Sequence, residues 1–187
     1  MVTPEMSGSF ADPAVYANDV ILGVVRAALA PDCILENFGV VVSLPGSKQQ
    51  HIHRDGTPLF PNQVVPNQVV GLLPAYAVTV AIPLVEMNDS AGTTEVLPRT
   101  HRYQSDATSL GERPIVPVGS CVLWDYRLLH GGTPNLSDGA RPIVYMTYSL
   151  KWWRDADNFT GRQLRLALPE GFLDDVPDHA APLFAHV

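Results

Sequence analysis

The chain has 187 residues, 46% of them hydrophobic and 17% charged, which is enough to bury one substantial core. A formal net charge of −7 without a basic run disfavours nucleic acids and anionic membrane surfaces as partners. No apolar stretch is long enough to span a bilayer, and no positive charge precedes an apolar segment in the first ten residues. These features predict a single cytoplasmic domain over residues 1–187.

Near the N-terminus, Asp12-Pro13 has the form of an N-cap followed by a first-turn proline. The alanine- and valine-rich run after it predicts one amphipathic helix over residues 13–30. Seventeen prolines and fourteen glycines, spread along the chain, favour short strands and turns over a helical bundle. We therefore expect a β-rich core over residues 34–151 and an irregular C-terminal tail over residues 152–187.

The core shows five predicted strands, at residues 36–44, 49–55, 75–85, 116–124 and 141–150. The third alternates between large apolar side chains and small ones. Its large face is predicted to pack against the core. Its small face, which carries Ala77, Thr79 and Ala81, leaves room for a ligand in a barrel-like interior.

A proline-punctuated loop over residues 56–73 joins the second and third predicted strands. It contains a local duplication of the sequence Pro-Asn-Gln-Val-Val, at residues 61–65 and again at 66–70. Ten residues of repeat are too few for a solenoid. A loop that covers the mouth of a site and an ordinary surface excursion both fit this pattern.

Two histidines and one aspartate supply the strongest chemical signal of the chain. Two imidazoles and one carboxylate are the ligand set that holds non-haem Fe(II) and leaves metal positions open. His53 and Asp55 are two residues apart, so on an extended strand they share one face, and His130 would arrive from another strand. Arg141 offers a planar fork of donors that suits a carboxylate. Together these residues predict a 2-oxoglutarate-dependent oxygenase.

His51 introduces an alternative because it shares the predicted strand face of His53. A pair of histidines at this spacing would suit a cupin metal site. The stretch 111–119 also imitates the second cupin motif, but Val122 stands where that motif needs histidine. A motif that lacks its ligands loses its chemistry. A cupin-type metal-binding protein is therefore the alternative, and we place His51 near the metal or the substrate.

Three segments resemble, in the correct order, the phytanoyl-CoA dioxygenase-like family of Fe(II)/2-oxoglutarate-dependent oxygenases. Residues 88–101 resemble a conserved turn of the family, residues 118–137 its distal-histidine strand and residues 141–149 its closing strand. The resemblance runs from about residue 50 to residue 149. It implies a mainly β fold, the double-stranded β-helix or jelly roll also used by cupins, with a few flanking helices.

The resemblance also implies the cofactors and the reaction. Fe(II) would be bound by His53, Asp55 and His130, and the distal carboxylate of 2-oxoglutarate would pair with Arg141. O2 would oxidise a small-molecule substrate, with release of succinate and CO2, in specialised metabolism. Ascorbate would serve as the reductant in vitro. In halogenating relatives a small residue replaces the carboxylate ligand, so Asp55 implies hydroxylation or a related oxidation.

The remaining candidates concern the walls of the site. Gln50 resembles a family position that contacts cofactor or substrate, although a solvated residue at a strand start fits equally well. Thr79 is a candidate donor to a 2-oxoglutarate carboxylate, and an ordinary strand threonine is the alternative. Trp124, Tyr126 and Tyr145 are candidate pocket walls that favour a largely apolar substrate. A non-catalytic jelly roll that binds 2-oxoglutarate is a further alternative, and homo-oligomerisation is left open.

Overall fold

The computed structural model describes residues 2–103, 110–159 and 164–187. Strands dominate the fold, and their bounds in chain order are β1 (Ile34–Ser43), β2 (Ala77–Pro83), β3 (Thr94–Val96), β4 (Val122–Asp125), β5 (His130–Gly132) and β6 (Arg141–Ser149). Four of them form an antiparallel sheet in the order β1-β6-β2-β4, and β3 pairs with β5 in a second antiparallel sheet. Within the described residues these are two separate sheets and not a closed barrel.

The two sheets face each other across the site. The hydroxyls of Thr94 in β3 and Tyr145 in β6 lie 3.4 Å apart. The ring of His130 in β5 lies 5.0 Å, centroid to centroid, from the ring of Trp124 in β4. The connection from β4 to β5 therefore carries the chain from one sheet to the other within a few residues, which brings the distal histidine into the space between the sheets.

The helix predicted over residues 13–30 is divided into two, α1 (Pro13–Tyr16) and α2 (Asp19–Ala28). Asn18 causes the division, because its side-chain oxygen accepts from the backbone N–H groups of Val20 and Ile21 and caps a new helix. A short helix, α3 (Asn67–Val70), lies in the loop after the first predicted ligands. Among the described residues, no helix has the length and apolar character needed to cross a membrane.

The core lies between the large sheet and the N-terminal helices. The outward faces of β2 and β6 contribute large side chains to it, and for β2 the alternation in the sequence predicts this. Fully buried aliphatic side chains of this kind contribute about 1.5–3 kcal/mol each to the free energy of unfolding. The members of this cluster that are almost completely buried are Met6, Tyr16, Leu22, Val25, Cys33, Phe38, Val80, Val144, Met146, Tyr148, Ala180 and Leu183.

One predicted strand is largely absent. Residues 49–55 make only an isolated bridge, in which His53 exchanges two backbone hydrogen bonds of 2.9 Å with His130. The backbone N–H of Gln50 also donates to Gly132, but beyond His53 the chain leaves the edge of β5. The prediction of a continuous strand is therefore wrong, and Asp55 lies on the irregular backbone that follows the bridge.

β1 contains an extra residue. Its register with β6 shifts between Leu35 and Asn37, so Glu36 has no partner across the ladder. This bulge directs the Glu36 side chain, whose exposed fraction is 0%, toward two arginines near the C-terminus. The residues on either side of Glu36 point to opposite faces of the sheet. Leu35 joins the core, and Asn37 lines the interior cavity described below.

Candidate metal centre and its two cavities

The three predicted metal ligands meet at one point. His53, Asp55 and His130 each offer a ligand atom, and these atoms lie within 4.8 Å of one another. The Nε2 atom of His130 is 3.4 Å from a carboxylate oxygen of Asp55. The backbone bridge between His53 and His130 fixes the two imidazoles side by side, with ring centroids 4.7 Å apart.

Both imidazoles are oriented by backbone carbonyls. The Nδ1 atom of His53 is 2.9 Å from the carbonyl oxygen of His51, and Nδ1 of His130 is 3.0 Å from that of Leu128. A ring nitrogen that faces a carbonyl carries the proton, so the Nε2 atoms hold the lone pairs that a metal requires. His51 contributes its carbonyl to this arrangement, and its own side chain is exposed and outside the cluster.

The donor set also fits a divalent cation electrostatically. Burial lowers the pKa of His130, but the hydrogen bond and the negative charge of Asp55 outweigh burial, and the net pKa is raised. The pair thus attracts a positive charge to the space between His130 and Asp55. Metal binding to such ligands replaces the proton. The residues present fit Fe(II), which accepts two imidazoles and one carboxylate.

Asp55 is held by several side chains. The Thr79 hydroxyl donates to its carboxylate at 3.2 Å. Its backbone carbonyl accepts from the side-chain amide of Asn158 at 2.5 Å, and the Tyr126 hydroxyl oxygen lies 3.4 Å from the same carbonyl. Thr79 therefore positions a candidate ligand in this structure, and its contact with a 2-oxoglutarate carboxylate stays a prediction.

An inner cavity of about 340 Å³ lies between the two sheets. It contains the three candidate ligands together with Gln50 and Thr79. The sequence predicted only part of its wall, and the residues it did not single out include Asn37 and Thr147 on the strands and Asp155, Asn158 and Phe159 after β6. Its lining residues are Asn37, Val41, Gln50, His53, Asp55, Thr79, Tyr126, His130, Tyr145, Thr147, Asp155, Asn158 and Phe159.

Arg141 is buried beside the inner cavity without itself lining it. Its guanidinium donates to the carbonyl oxygens of Ala91, at 2.8 Å, and Thr133, at 3.2 Å. Its Nε atom has no hydrogen-bond partner, and no carboxylate among the described residues pairs with it. Burial lowers the pKa of Arg141. A buried cation with an unused donor fits the carboxylate of a ligand, since an uncompensated buried charge is costly.

Glycines give Arg141 its space. Gly92 has a φ of +80°, and a Cβ there would come within 1.9 Å of an Arg141 nitrogen. A Cβ on Gly132 would lie 2.9 Å from the side-chain oxygen of Gln50 and 3.3 Å from Arg141. That Gln50 oxygen accepts from the backbone N–H of Gly132 at 2.7 Å. Gln50 is thus at the cavity wall near Arg141, and its contact with a cofactor stays a prediction.

A larger outer cavity of about 720 Å³ adjoins the inner one, and both are lined by His53 and Asp55. Much of its wall belongs to the proline-punctuated loop over residues 56–73, which supplies Gly56, Thr57, Pro58, Asn62, Asn67 and Gln68. The rest of its lining consists of Ile52, Arg54, Tyr103, Leu129 and Asp157. The loop therefore borders the candidate metal centre and is not a remote surface excursion.

The duplicated sequence of the loop repeats in three dimensions. The carbonyl of Pro61 accepts from the N–H groups three and four residues later, and the carbonyl of Pro66 does the same in the second copy. The Asn62 side chain joins the copies by accepting from the N–H of Asn67 at 2.9 Å. Two successive turns therefore bring Asn62, Asn67 and Gln68 to the outer cavity.

The residues that favoured an apolar pocket fall into two groups, those that line a cavity and those that are packed in the core. Tyr126 and Tyr145 line the inner cavity. Ala81 and Trp124 belong to a packed cluster, and Ala77 packs in another, so these three line neither cavity. The small inward face of β2 thus contributes only Thr79 to the inner cavity.

Comparison with known proteins agrees with this architecture. A family model described as phytanoyl-CoA dioxygenase (PhyH) matches residues 1–143. The non-heme monooxygenase ThoJ in its apo form is similar, with a TM-score of 0.61 and 18% identity over 91% of this chain and 72% of that one. AviO1 from Streptomyces viridochromogenes Tue57 has a TM-score of 0.60 and 19% identity over 81% of this chain and 66% of that one.

A third similar structure is the non-heme alpha ketoglutarate dependent epimerase SnoN from nogalamycin biosynthesis, with a TM-score of 0.56 and 15% identity over 83% of this chain and 67% of that one. At these identities the likeness shows the fold, and it confirms the mainly β, jelly-roll prediction. The chain spans 34%, 55% and 66% of the first matched structures. Since the family model covers most of its residues, the chain belongs to the phytanoyl-CoA dioxygenase (PhyH) family.

Proposed function

We propose that this protein is an Fe(II)- and 2-oxoglutarate-dependent dioxygenase that oxidises a small molecule. The observation that supports this most directly is the convergence of His53, Asp55 and His130 at the junction of two cavities. A facial set of three ligands leaves metal positions open for cofactor and O2. Two adjoining cavities provide separate space for a cofactor and a substrate.

The protein's own residues would divide the work as follows. His53, Asp55 and His130 hold the metal, and Arg141 exchanges a carbonyl contact for the distal carboxylate of 2-oxoglutarate. When bound, Fe(II) would supply the chemistry by which O2 oxidises both 2-oxoglutarate, to succinate and CO2, and a substrate C–H bond. The presence of Asp55 favours hydroxylation or a related oxidation over halogenation.

We place the substrate in the outer cavity, under the loop over residues 56–73. The sequence favoured a largely apolar molecule, but the polar residues Asn62, Asn67 and Gln68 line this cavity together with Asp157. Polar groups that line a pocket fix the orientation of a ligand through hydrogen bonds. The substrate is therefore a small molecule whose apolar portions are accompanied by hydroxyl or amide groups near the oxidised carbon.

The proposal is tested by incubating the purified protein with Fe(II), ascorbate, O2 and 2-oxoglutarate and measuring succinate. Candidate metabolites that fit should stimulate succinate release and yield oxidised products by mass spectrometry. The His53→Ala protein is the matched negative control. Saturable 2-oxoglutarate binding without succinate, in the presence of metal and the full metabolite set, would favour a non-catalytic binding protein. Metal binding that requires His51 would favour the cupin alternative.

A further inference from the structure

Residues beyond the part matched by the family model hold a candidate metal ligand. The family model ends at residue 143, whereas Asn158 donates to the backbone carbonyl of Asp55 at 2.5 Å. The Tyr126 hydroxyl lies 3.4 Å from the same carbonyl. A strand partner would ordinarily satisfy this carbonyl, but Asp55 lies past the bridge at His53. Side chains have taken the place of a sheet ladder here.

Asp155 organises these side chains. Its carboxylate accepts from the Tyr126 hydroxyl at 2.5 Å and from the Asn158 amide at 3.0 Å. It also accepts from the backbone N–H groups of Asp157 and Asn158, at 3.0 Å each, which closes the turn that carries Asn158. The residue is only 2% exposed. Asp155 therefore fixes both groups that contact the Asp55 carbonyl.

The turn is tied to the bulge in β1. The backbone N–H of Asp155 donates to the Glu36 carboxylate at 3.0 Å, and the carbonyl of Asp155 accepts from Arg165. Glu36 is itself paired with Arg154 at 3.1 Å and with Arg165 at 2.7 Å. A buried carboxylate with two cationic partners resists displacement, because removal of one partner leaves an uncompensated charge. The segment 155–158 is thus anchored to the large sheet.

We propose that Asn158, with Asp155 and Tyr126, is a positioning residue that fixes the backbone of Asp55 so that its carboxylate faces His53 and His130. This inference rests on the proposed metal site and adds residues that the family match does not include. A ligand on irregular backbone pays conformational entropy on binding unless other groups order it beforehand. These three side chains, which we call the clamp, order the backbone of Asp55 before the metal binds.

Co(II) affinity, followed by the visible absorption of the bound ion without 2-oxoglutarate, tests this proposal. Loss of groups that orient ligands typically costs about 10- to 100-fold in metal affinity. We expect Asn158→Ala to fall in that range and Tyr126→Phe to lose less, each with an altered absorption spectrum. Tyr148→Phe is the matched control, because that buried hydroxyl donates at 2.7 Å to Tyr16 on the opposite side of the sheet.

The control separates positioning from general stability, since Tyr148→Phe should lower the melting temperature and leave Co(II) affinity unchanged. If Asn158→Ala does not fold, Tyr126→Phe decides the matter. Wild-type affinity and spectrum in the folded clamp variants would overturn the proposal, and so would a wild-type protein that binds no Co(II). If the wild-type protein instead binds Co(II) through His53 but forms no succinate with Fe(II), the proposed function is wrong and the positioning role of the clamp still stands.

Discussion

The two sides of Asp55 are built in different ways. On its N-terminal side, His53 is fixed by backbone hydrogen bonds to His130 in β5. On its C-terminal side, the carbonyl of Asp55 and the start of the loop are held by side chains, chiefly Asn158 and Asp157. One half of the candidate metal centre is therefore part of a sheet, and the other half depends on side chains about a hundred residues away in the chain.

This difference in construction matches two different requirements, which are fixed ligands for a metal and a movable segment for a substrate. Imidazoles mounted on paired backbone are fixed in orientation, which suits ligands whose geometry must not vary. A loop whose start is held by a few side-chain hydrogen bonds is easier to displace than paired backbone, which would suit a segment that covers a substrate. The same residue, Asp55, lines both cavities and marks the boundary between these requirements.

The largest expected effect comes from the three candidate metal ligands themselves. Replacing His53, Asp55 or His130 with alanine should abolish succinate formation, since loss of a ligand exceeds the roughly 10- to 100-fold cost of losing a group that orients one. Iron content and succinate release measure this directly. His51→Ala should retain both, because the substitution keeps the backbone carbonyl that orients His53. The His51 ring lies 4.9 Å from the His53 ring, centroid to centroid, but is not part of the ligand cluster. Full turnover and normal iron content in His53→Ala would contradict the assignment.

Arg141 offers the next largest effect. Breaking a buried charge pair costs about 2–5 kcal/mol, so Arg141→Ala should raise the 2-oxoglutarate concentration required by a factor of roughly tens to thousands. Iron binding should be nearly intact, and Arg141→Lys should recover only part of the affinity, because a point charge cannot reproduce the fork. Calorimetric titration measures the change, with the exposed Arg113→Ala as control. Unchanged 2-oxoglutarate dependence would mean that the cofactor is held elsewhere.

The half of the candidate metal centre that is held by side chains is best disrupted at Glu36, which anchors the segment 155–158 to the large sheet. Glu36→Ala leaves Arg154 and Arg165 without their shared partner, and removal of one member of a buried ion pair costs about 3–5 kcal/mol. We expect the lower end of this range in urea unfolding, since both arginines are partly exposed. Glu170→Ala, at an exposed position, should change stability by no more than about 0.5 kcal/mol. Equal stability of Glu36→Ala and Glu170→Ala would show that Glu36 does not act as an anchor.

The smallest effect is a pH-dependent release of the loop. Hydrogen bonds from the backbone and hydroxyl of Thr57 lower the pKa of Asp157. A lowered pKa stabilises the contact above the ordinary pKa of the group, and this contribution is lost as pH falls through the lowered value. Protease cleavage within residues 56–73 should therefore rise in acid and in Asp157→Asn at neutral pH. The effect is modest because Asp157 is exposed. Cleavage in Asp157→Asn that matches wild type at neutral pH would show that the contact does not hold the loop.

The elements predicted well from sequence were those encoded by local alternation. β2 and β6 lie within the predicted strands at residues 75–85 and 141–150, because their alternating large residues face one core. The predicted strand at residues 49–55 failed because pairing at an edge depends on where the partner strand ends. The helix over residues 13–30 failed as a single unit because the capping role of Asn18 competes with the helical pattern around it.

The candidate site divides along the same line. The spacing of His53, Asp55 and His130 belongs to a motif that predicted their convergence. Arg141, the fourth residue of the motif, lies beside their cavity without lining it. Asp155 and Asn158 were not predicted, because nothing in a proline-containing tail distinguishes a carboxylate that closes a turn from one that is solvated. Their importance depends on a contact across 103 residues of sequence, between Asn158 and Asp55.

The bulge at Glu36 has a consequence for insertions and deletions. Leu35 and Asn37 pair with the adjacent residues Tyr148 and Thr147, so the ladder continues along β6 without a gap on both sides of the unpaired Glu36. A one-residue slip in a strand exchanges its two faces. Deletion of Glu36 would cause no such slip, because Leu35 and Asn37 would follow each other on opposite faces as they do now, and only the carboxylate would be lost. The extra residue is therefore not needed for the register of β1, and what it adds is a buried carboxylate beside Arg154 and Arg165.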